Sequence, residues 1–172
     1  HKSSNKWTPL KGFKYKSFSR NEICVLGNIY RVHGTKLMIQ QRGMDSTFTF
    51  PMELIKTAKP SHRYELSYIL YDDNKLWFGV NDVTMEVADV GIGIGYFDLS
   101  SKKWNLFHPD FMKCNSISCI VKDKDYLWFG TAEFTEDGDF PGAGAIQYNK
   151  VTHQWKQFCK RLREILIVCP FF

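Results

Sequence analysis

The chain has 172 residues, of which 44% are hydrophobic, 16% aromatic and 24% charged, values that fit one folded domain and exclude a disordered segment. Its formal charge of +5 is uneven: residues 1–60 hold 11 Lys or Arg against 3 Asp or Glu, and the remainder is net acidic. No run of about 18 apolar residues is present, so no helical membrane span is expected.

The N-terminal lysines at 2, 6, 11, 14 and 16 read as a solvated basic face. That argues against a nucleic-acid partner, which needs such charges gathered into one stripe. The chain begins at His1, which leaves open a removed leader or a piece of a longer chain. In chain order, Asn5–Leu10 has the look of a closing strand. Glu22–Leu26, Ile29–His33, Lys36–Gln40 and Thr47–Met52 are predicted as four strands of a divergent sheet, with Asn28, Gly34 and Gly43 in its turns. Strands follow near 66–71, 75–80, 93–97 and 103–107, then at 116–121, 126–131, 144–148 and 154–158. The segment 163–169 falls where a further first strand belongs, with a short helix at 160–167 as the alternative. No segment has convincing 3.6-residue periodicity.

The strongest signal is an internal repeat. Leu76-Trp77-Phe78-Gly79 returns 51 residues later as Leu127-Trp128-Phe129-Gly130. The same step carries Ile69 onto Ile120, Asp72 onto Asp123 and Gly93 onto Gly144. It also carries Phe97 onto Tyr148, Asp98 onto Asn149, Trp104 onto Trp155 and Phe107 onto Phe158. Short strands at this spacing predict an all-β fold, and a four-stranded unit of about 50 residues predicts sheets packed radially as propeller blades. The recurring tryptophans are expected between blades. Gly91, Gly93 and Gly95 lack the strand–loop–helix context and the Lys-Ser/Thr of a phosphate loop.

Read as a whole, the unit runs from Asp72 through Leu-Trp-Phe-Gly, a long loop, Gly93, Phe97-Asp98, a turn and Trp104-x-x-Phe107. This resembles the blade of the two-component-regulator type of β-propeller repeat, over roughly residues 66–158. It is also similar to the blades of the streptogramin lyase type, whose catalytic His and Glu lie beside the central channel; no His recurs here at the 51-residue step. The resemblance implies a partial propeller or a segment of a longer one. Its parts would be an end strand at 1–10, a divergent blade at 20–55, blades at 64–107 and 115–158, and the start of a further blade or a short helix at 160–172. It implies an extracellular or periplasmic place, because that family sits in extracytoplasmic sensor regions and in secreted or surface binding proteins. Three blades do not close a ring, so a homodimer or the remainder of a longer chain is the expected complement.

Antiparallel connectivity puts the long loops 80–91, 108–115 and 131–141, and the stretch 53–65, on one face, and binding residues favour such loops. The expected function is a non-catalytic binding or sensory scaffold presenting these loops to a protein, peptide or small ligand. Met85, His108, Phe134 and Phe140 are its contact candidates. Acidic positions recur there: Asp82 with Glu133, Glu86 with Asp137, and Asp139 beside them. Such oxygen donors suit Ca²⁺, the one cofactor the pattern suggests, with a solvated acidic loop as the plain reading. A lyase or glycan-processing hydrolase with acidic residues at the propeller mouth is the enzymatic alternative, and a structural propeller segment of a larger receptor is the third. Five cysteines, at 24, 114, 119, 159 and 169, leave at least one unpaired within a single chain; Cys114 with Cys119 and Cys159 with Cys169 are the candidate bridges.

Overall fold

Two-residue hairpins build the first sheet. Its strands are β1 (Glu22–Val25), β2 (Asn28–His33), β3 (Lys36–Gln41) and β4 (Met44–Thr49). The turns Leu26-Gly27 and Arg42-Gly43 have positive φ at both residues, 51° and 78°, and 49° and 79°. That is the type I′ geometry that matches strand twist, and glycine takes its second place without a Cβ penalty. The computed structural model describes residues 21–84, 90–108, 116–132 and 142–159. The expected strand pieces at 1–10 and 160–172 lie outside them.

Two sequence expectations are displaced in this sheet. The fourth strand was expected at Thr47–Met52 and runs from Met44 to Thr49, because the Arg42-Gly43 turn reverses the chain immediately after Gln41. Met52 instead opens a single 3-10 turn, Met52–Leu54. Leu26 belongs to a turn, not to the first strand, and is 91% exposed.

The second sheet holds β5 (Tyr64–Asp72), β6 (Lys75–Asp82), β7 (Val90–Asp98) and β8 (Lys103–Phe107). The third holds β9 (Ser116–Lys122), β10 (Tyr126–Ala132), β11 (Gly142–Asn149) and β12 (Trp155–Cys159). All three sheets are antiparallel with strands in chain order. The 51-residue step holds pair by pair. Leu76 faces Phe97 as Leu127 faces Tyr148, and Phe97 faces Trp104 as Tyr148 faces Trp155. A bulge interrupts both first strands, after Ser67 in one and between Ile117 and Cys119 in the other.

The side chains explain two of the recurring positions. Asp98 Oδ1 accepts hydrogen bonds from the Ser100 and Ser101 amides at 2.9 and 2.8 Å. Asn149 Oδ1 does the same for Val151 and Thr152, both at 2.9 Å. Either residue type makes an Asx turn, so the chemistry repeats although the residue changes. Backbone hydrogen bonds to Asp98 Oδ1 hold its carboxyl below the usual value of 3.8.

The sheets stack as blades of a partial propeller, each joined to the next by an apolar core. Between the first and second sheets lie Val32, Leu37, Ile39, Phe50, Ile55, Leu76, Phe78 and Phe97, all buried. Between the second and third lie Trp77, Ile94, Ile117, Leu127, Phe129, Ile146 and Tyr148. Burying one such side chain stabilises the fold by about 1.5–3 kcal/mol. Trp77 meets Tyr148 of the next sheet at a centroid distance of 5.2 Å, Trp104 meets Phe50 at 5.4 Å, and Trp155 meets Phe107 at 5.3 Å. Trp77, Trp104 and Trp155 are therefore inter-blade packing, whereas the ring contacts of Trp128 among the described residues are Tyr126 and Phe158 of its own sheet. An ionic clamp adds to the second junction. Asp72, 8% exposed, receives Lys150 at 3.2 Å and Lys122 at 3.6 Å from the third sheet.

Candidate functional site

The connection from β4 to β5 crosses the same end of the array as the loop after β6. It is pinned from below by buried Phe50, Ile55 and Tyr64. The Tyr64 hydroxyl accepts the Lys59 amide at 3.0 Å, and the Ala58 amide donates to the Ile55 carbonyl at 2.9 Å. This loop, the Gly34-Thr35 turn and the start of β5 border a shallow depression open to solvent, lined by Gly34, Thr35, Met52, Ala58, Lys59, Pro60, His62, Arg63 and Tyr64.

His62 lies at the centre of a hydrogen-bonded chain. Its Nδ1 pairs with Asp82 Oδ2. The other carboxylate oxygen, Oδ1, accepts the Thr84 amide at 3.0 Å and the Thr84 hydroxyl at 2.5 Å. Thr84 Oγ1 in turn accepts the Arg63 amide at 2.7 Å. The strand ends thus hold the loop: Val83 N–H also donates to the Arg63 carbonyl at 2.8 Å. Partial burial pushes the Asp82 carboxyl upward, but hydrogen bonds from His62 and Thr84 outweigh it and hold the group below the usual 3.8. An ionised carboxylate only accepts, so it is His62 Nδ1–H that donates to Asp82.

The rim is basic. Arg63 is largely exposed, 3.8 Å from Glu65, and its guanidinium donates to the Val83 carbonyl at 3.4 Å. Lys59 is exposed and has no acidic partner within 4 Å among the described residues. His108 follows β8. Its ring is partly shielded although the residue as a whole is exposed; that shielding and the charge of Lys56 push its pKa below 6.5.

Of the residues singled out from sequence, Asp82 and His108 are described and lie on the long-loop face. Met85, Glu86, Glu133, Phe134, Asp137, Asp139 and Phe140 lie outside the described residues. Asp82 has both carboxylate oxygens engaged by His62 and Thr84. Among the described residues no group of three His, Cys, Asp or Glu is arranged to hold a metal ion. Lys59, His62, Arg63 and Thr84 were not expected as site residues. Lys59, His62 and Arg63 do not recur at the 51-residue step, where Asp110, Lys113 and Cys114 stand, so the repeat carries no signal for them; Thr84 does recur, as Thr135.

Cys24 is free and exposed. Cys119 is disulfide-bonded, to one of cysteines 114, 159 and 169, whose side chains are not among those described. No helix among the described residues is long and apolar enough to cross a membrane.

Residues 112–133 match the family model described as "Two component regulator propeller". The match runs through β9, the Asp123–Asp125 turn and β10, and contains Leu127-Trp128-Phe129-Gly130. It agrees with the three four-stranded antiparallel sheets and with the blade resemblance read from the sequence. No curated protein matches the chain in sequence.

Proposed function

We propose that the chain is a non-catalytic binding scaffold, and that its long-loop face takes an anionic group of a peptide or small ligand. The observation that carries this is the shallow recess beside β5, where His62, Lys59 and Arg63 border one open depression and Asp82 orients the histidine. The pairing engages Nδ1 and leaves His62 Nε2 facing the recess, where it donates to an anion only when the ring carries both protons. Exposed cationic side chains contribute only about 0.2–1 kcal/mol each, so the three together give at most about 3 kcal/mol, and a single small anion is expected to bind more weakly than about 1 mM. The test is a titration with inorganic phosphate and with a short acidic peptide, read by NMR shifts of His62 and Arg63. Saturable shifts that vanish in His62→Gln and Lys59→Gln support the reading. Shifts spread evenly over the surface sink it.

The engagement of Asp82 favours binding over glycan hydrolysis. That chemistry needs two free carboxyl groups about 5–9.5 Å apart, and both oxygens of Asp82 are spent on orienting the loop. A disulfide at Cys119 favours an oxidising compartment, hence the extracellular or periplasmic placement. Counting free thiols in protein isolated under non-reducing conditions checks this: finding all five cysteines reactive rejects it.

A further inference from the structure

The two repeated blades agree on one face and part on the other. Their inward positions match at the 51-residue step. Leu76, Phe78 and Trp104 return as Leu127, Phe129 and Trp155, and each packs in or against an inter-blade core. The outward positions match only in part. Trp77 and Phe107 return as Trp128 and Phe158, but Ile94 becomes Ala145, Tyr96 becomes Gln147 and Asn105 becomes Lys156. In the second sheet Ile94 is fully buried and Tyr96 packs against the core shared with the third sheet. In the third sheet the same places hold a smaller apolar group and an amide. A face meant to bury another blade would keep its apolar area, since that area drives the burial.

The place where a neighbouring strand would sit is also taken. In the second sheet the space off Gly79 belongs to the next blade: a Cβ there would meet Ile117 Cβ at 2.6 Å, and β9 packs on β5, β6 and β7 through this contact. In the third sheet the equivalent space, off Gly130, belongs to the sheet itself. A Cβ there would meet Cys119 Sγ at 2.5 Å and Ser118 Oγ at 3.2 Å. Cys119 stands 51 residues after Tyr68, which packs into the junction with the third sheet. Its sulfur is disulfide-bonded, so it is not free to rotate aside.

The two outward rings that remain are held within the sheet. Trp128 packs on Phe158 at 5.4 Å, and Lys156 Nζ lies 4.9 Å from the Phe158 ring centroid. The ionic clamp does not return either. Asp72 takes two lysines from the next blade, whereas Asp123 is exposed and its Oδ1 accepts the Lys124 amide at 2.6 Å. We propose that the third sheet is a capping blade. Its outward face meets solvent, and neither a further blade nor a second copy stacks on it as the third sheet stacks on the second. Rows of stacked repeats need an end of this kind, with a polar outer face, to stay soluble. The row therefore has a direction: the second blade is shaped to carry a neighbour and the third is shaped to end the stack.

The test places one charge at the same register position of both blades in the full chain. Gln147→Lys should keep Tm within about 2 °C of the parent, as an exposed substitution does. Tyr96→Lys should lower Tm by roughly 6–12 °C, because it puts the charge inside a junction. The unmutated chain gives a second reading that does not depend on how the variants fold. It is labelled with 5-fluorotryptophan, and the Trp128 resonance is assigned from Trp128→Phe. Trp128 should show a larger solvent isotope shift than the most shielded of the other tryptophans, and that shift should not change on dilution. A loss of Tm in Gln147→Lys as large as that in Tyr96→Lys overturns the proposal. So does a Trp128 signal as shielded as the most shielded tryptophan, which would mean that another strand covers it. A Trp128 signal that becomes exposed only on dilution overturns it too, since a second copy would then be the cover.

Discussion

Gly79 and Ile117 meet across two blades with no room for one more carbon. A methyl at Gly79 would lie 2.6 Å from Ile117 Cβ, 2.8 Å from its Cγ1 and 3.0 Å from Ser67 Oγ. The neighbour is the branched stem of a buried side chain that cannot swing away. Gly79→Ala is therefore expected to destabilise the chain by about 1–3 kcal/mol, the usual result of overpacking. Gly43 is the contrast: its surroundings are empty, and only its φ of 79° opposes a side chain. Gly43→Ala should fall near 1 kcal/mol. Urea unfolding of both variants checks the order, and a Gly79→Ala chain as stable as the parent would contradict the close junction.

Asp72 joins the second blade to the third through Lys122 and Lys150, and Lys122 also donates to the Tyr71 carbonyl at 3.1 Å. The carboxylate is shielded while its partners are partly exposed, so removing its charge should be felt moderately. Asp72→Asn is expected to lower stability by about 1–3 kcal/mol. Asp123→Asn, at the exposed equivalent position, should stay within about 0.5 kcal/mol. Thermal unfolding of the pair decides. Equal effects would mean that the clamp contributes nothing specific.

Asp82 predicts a pH dependence. Its folded-state pKa is held below 3.8 by His62 and Thr84. A depressed carboxyl contributes stability that is fully present above the unfolded value and is lost as pH falls through the folded value. Asp82→Asn should therefore flatten the stability profile below about pH 4 and leave its shape above that unchanged. Denaturant titrations from pH 2 to 7 measure this. A profile that keeps the parental slope below pH 4 would show that the carboxylate is not held as described.

His108 carries the opposite charge type and the same depressed direction. Burial and then the charge of Lys56 favour its neutral ring. The stability it contributes is present above the unfolded value near 6.5 and is lost as pH falls through its folded value. NMR titration of the ring should give a midpoint below 6.5. Lys56→Gln should raise that midpoint without restoring it fully, because the shielding remains. A midpoint at or above 6.5 in the parent would contradict the arrangement.

The repeat was legible because the same residue types return at the same register positions. Trp77 and Trp128, Asp98 and Asn149, and the paired glycines each occupy one register position, and a 51-residue offset is visible without coordinates. The first sheet was less legible. Its turns are short and its outward face is polar, so the alternation that marks β2 and β3 fades in β4, whose first four residues are all exposed. The hydrophobic pattern there could not resist a three-residue displacement.

The candidate site was hardly legible at all. His62 and Asp82 are twenty residues apart, on a loop and at a strand end, and neither position recurs with its partner. Sequence by itself determined the four-stranded unit, the step between units and the inter-blade role of Trp77, Trp104 and Trp155, because those follow from residue type at fixed spacing; it also placed Trp128 between blades, whereas its described contacts lie within its own sheet. Only the tertiary structure decided that Asp82 is an orienting group and that a basic recess opens beside β5. It also revealed that Cys119 fills, on the third sheet, the space that Ile117 fills on the second. Those facts depend on which loop crosses which strand end, and packing between distant segments sets that, not any local preference of the chain.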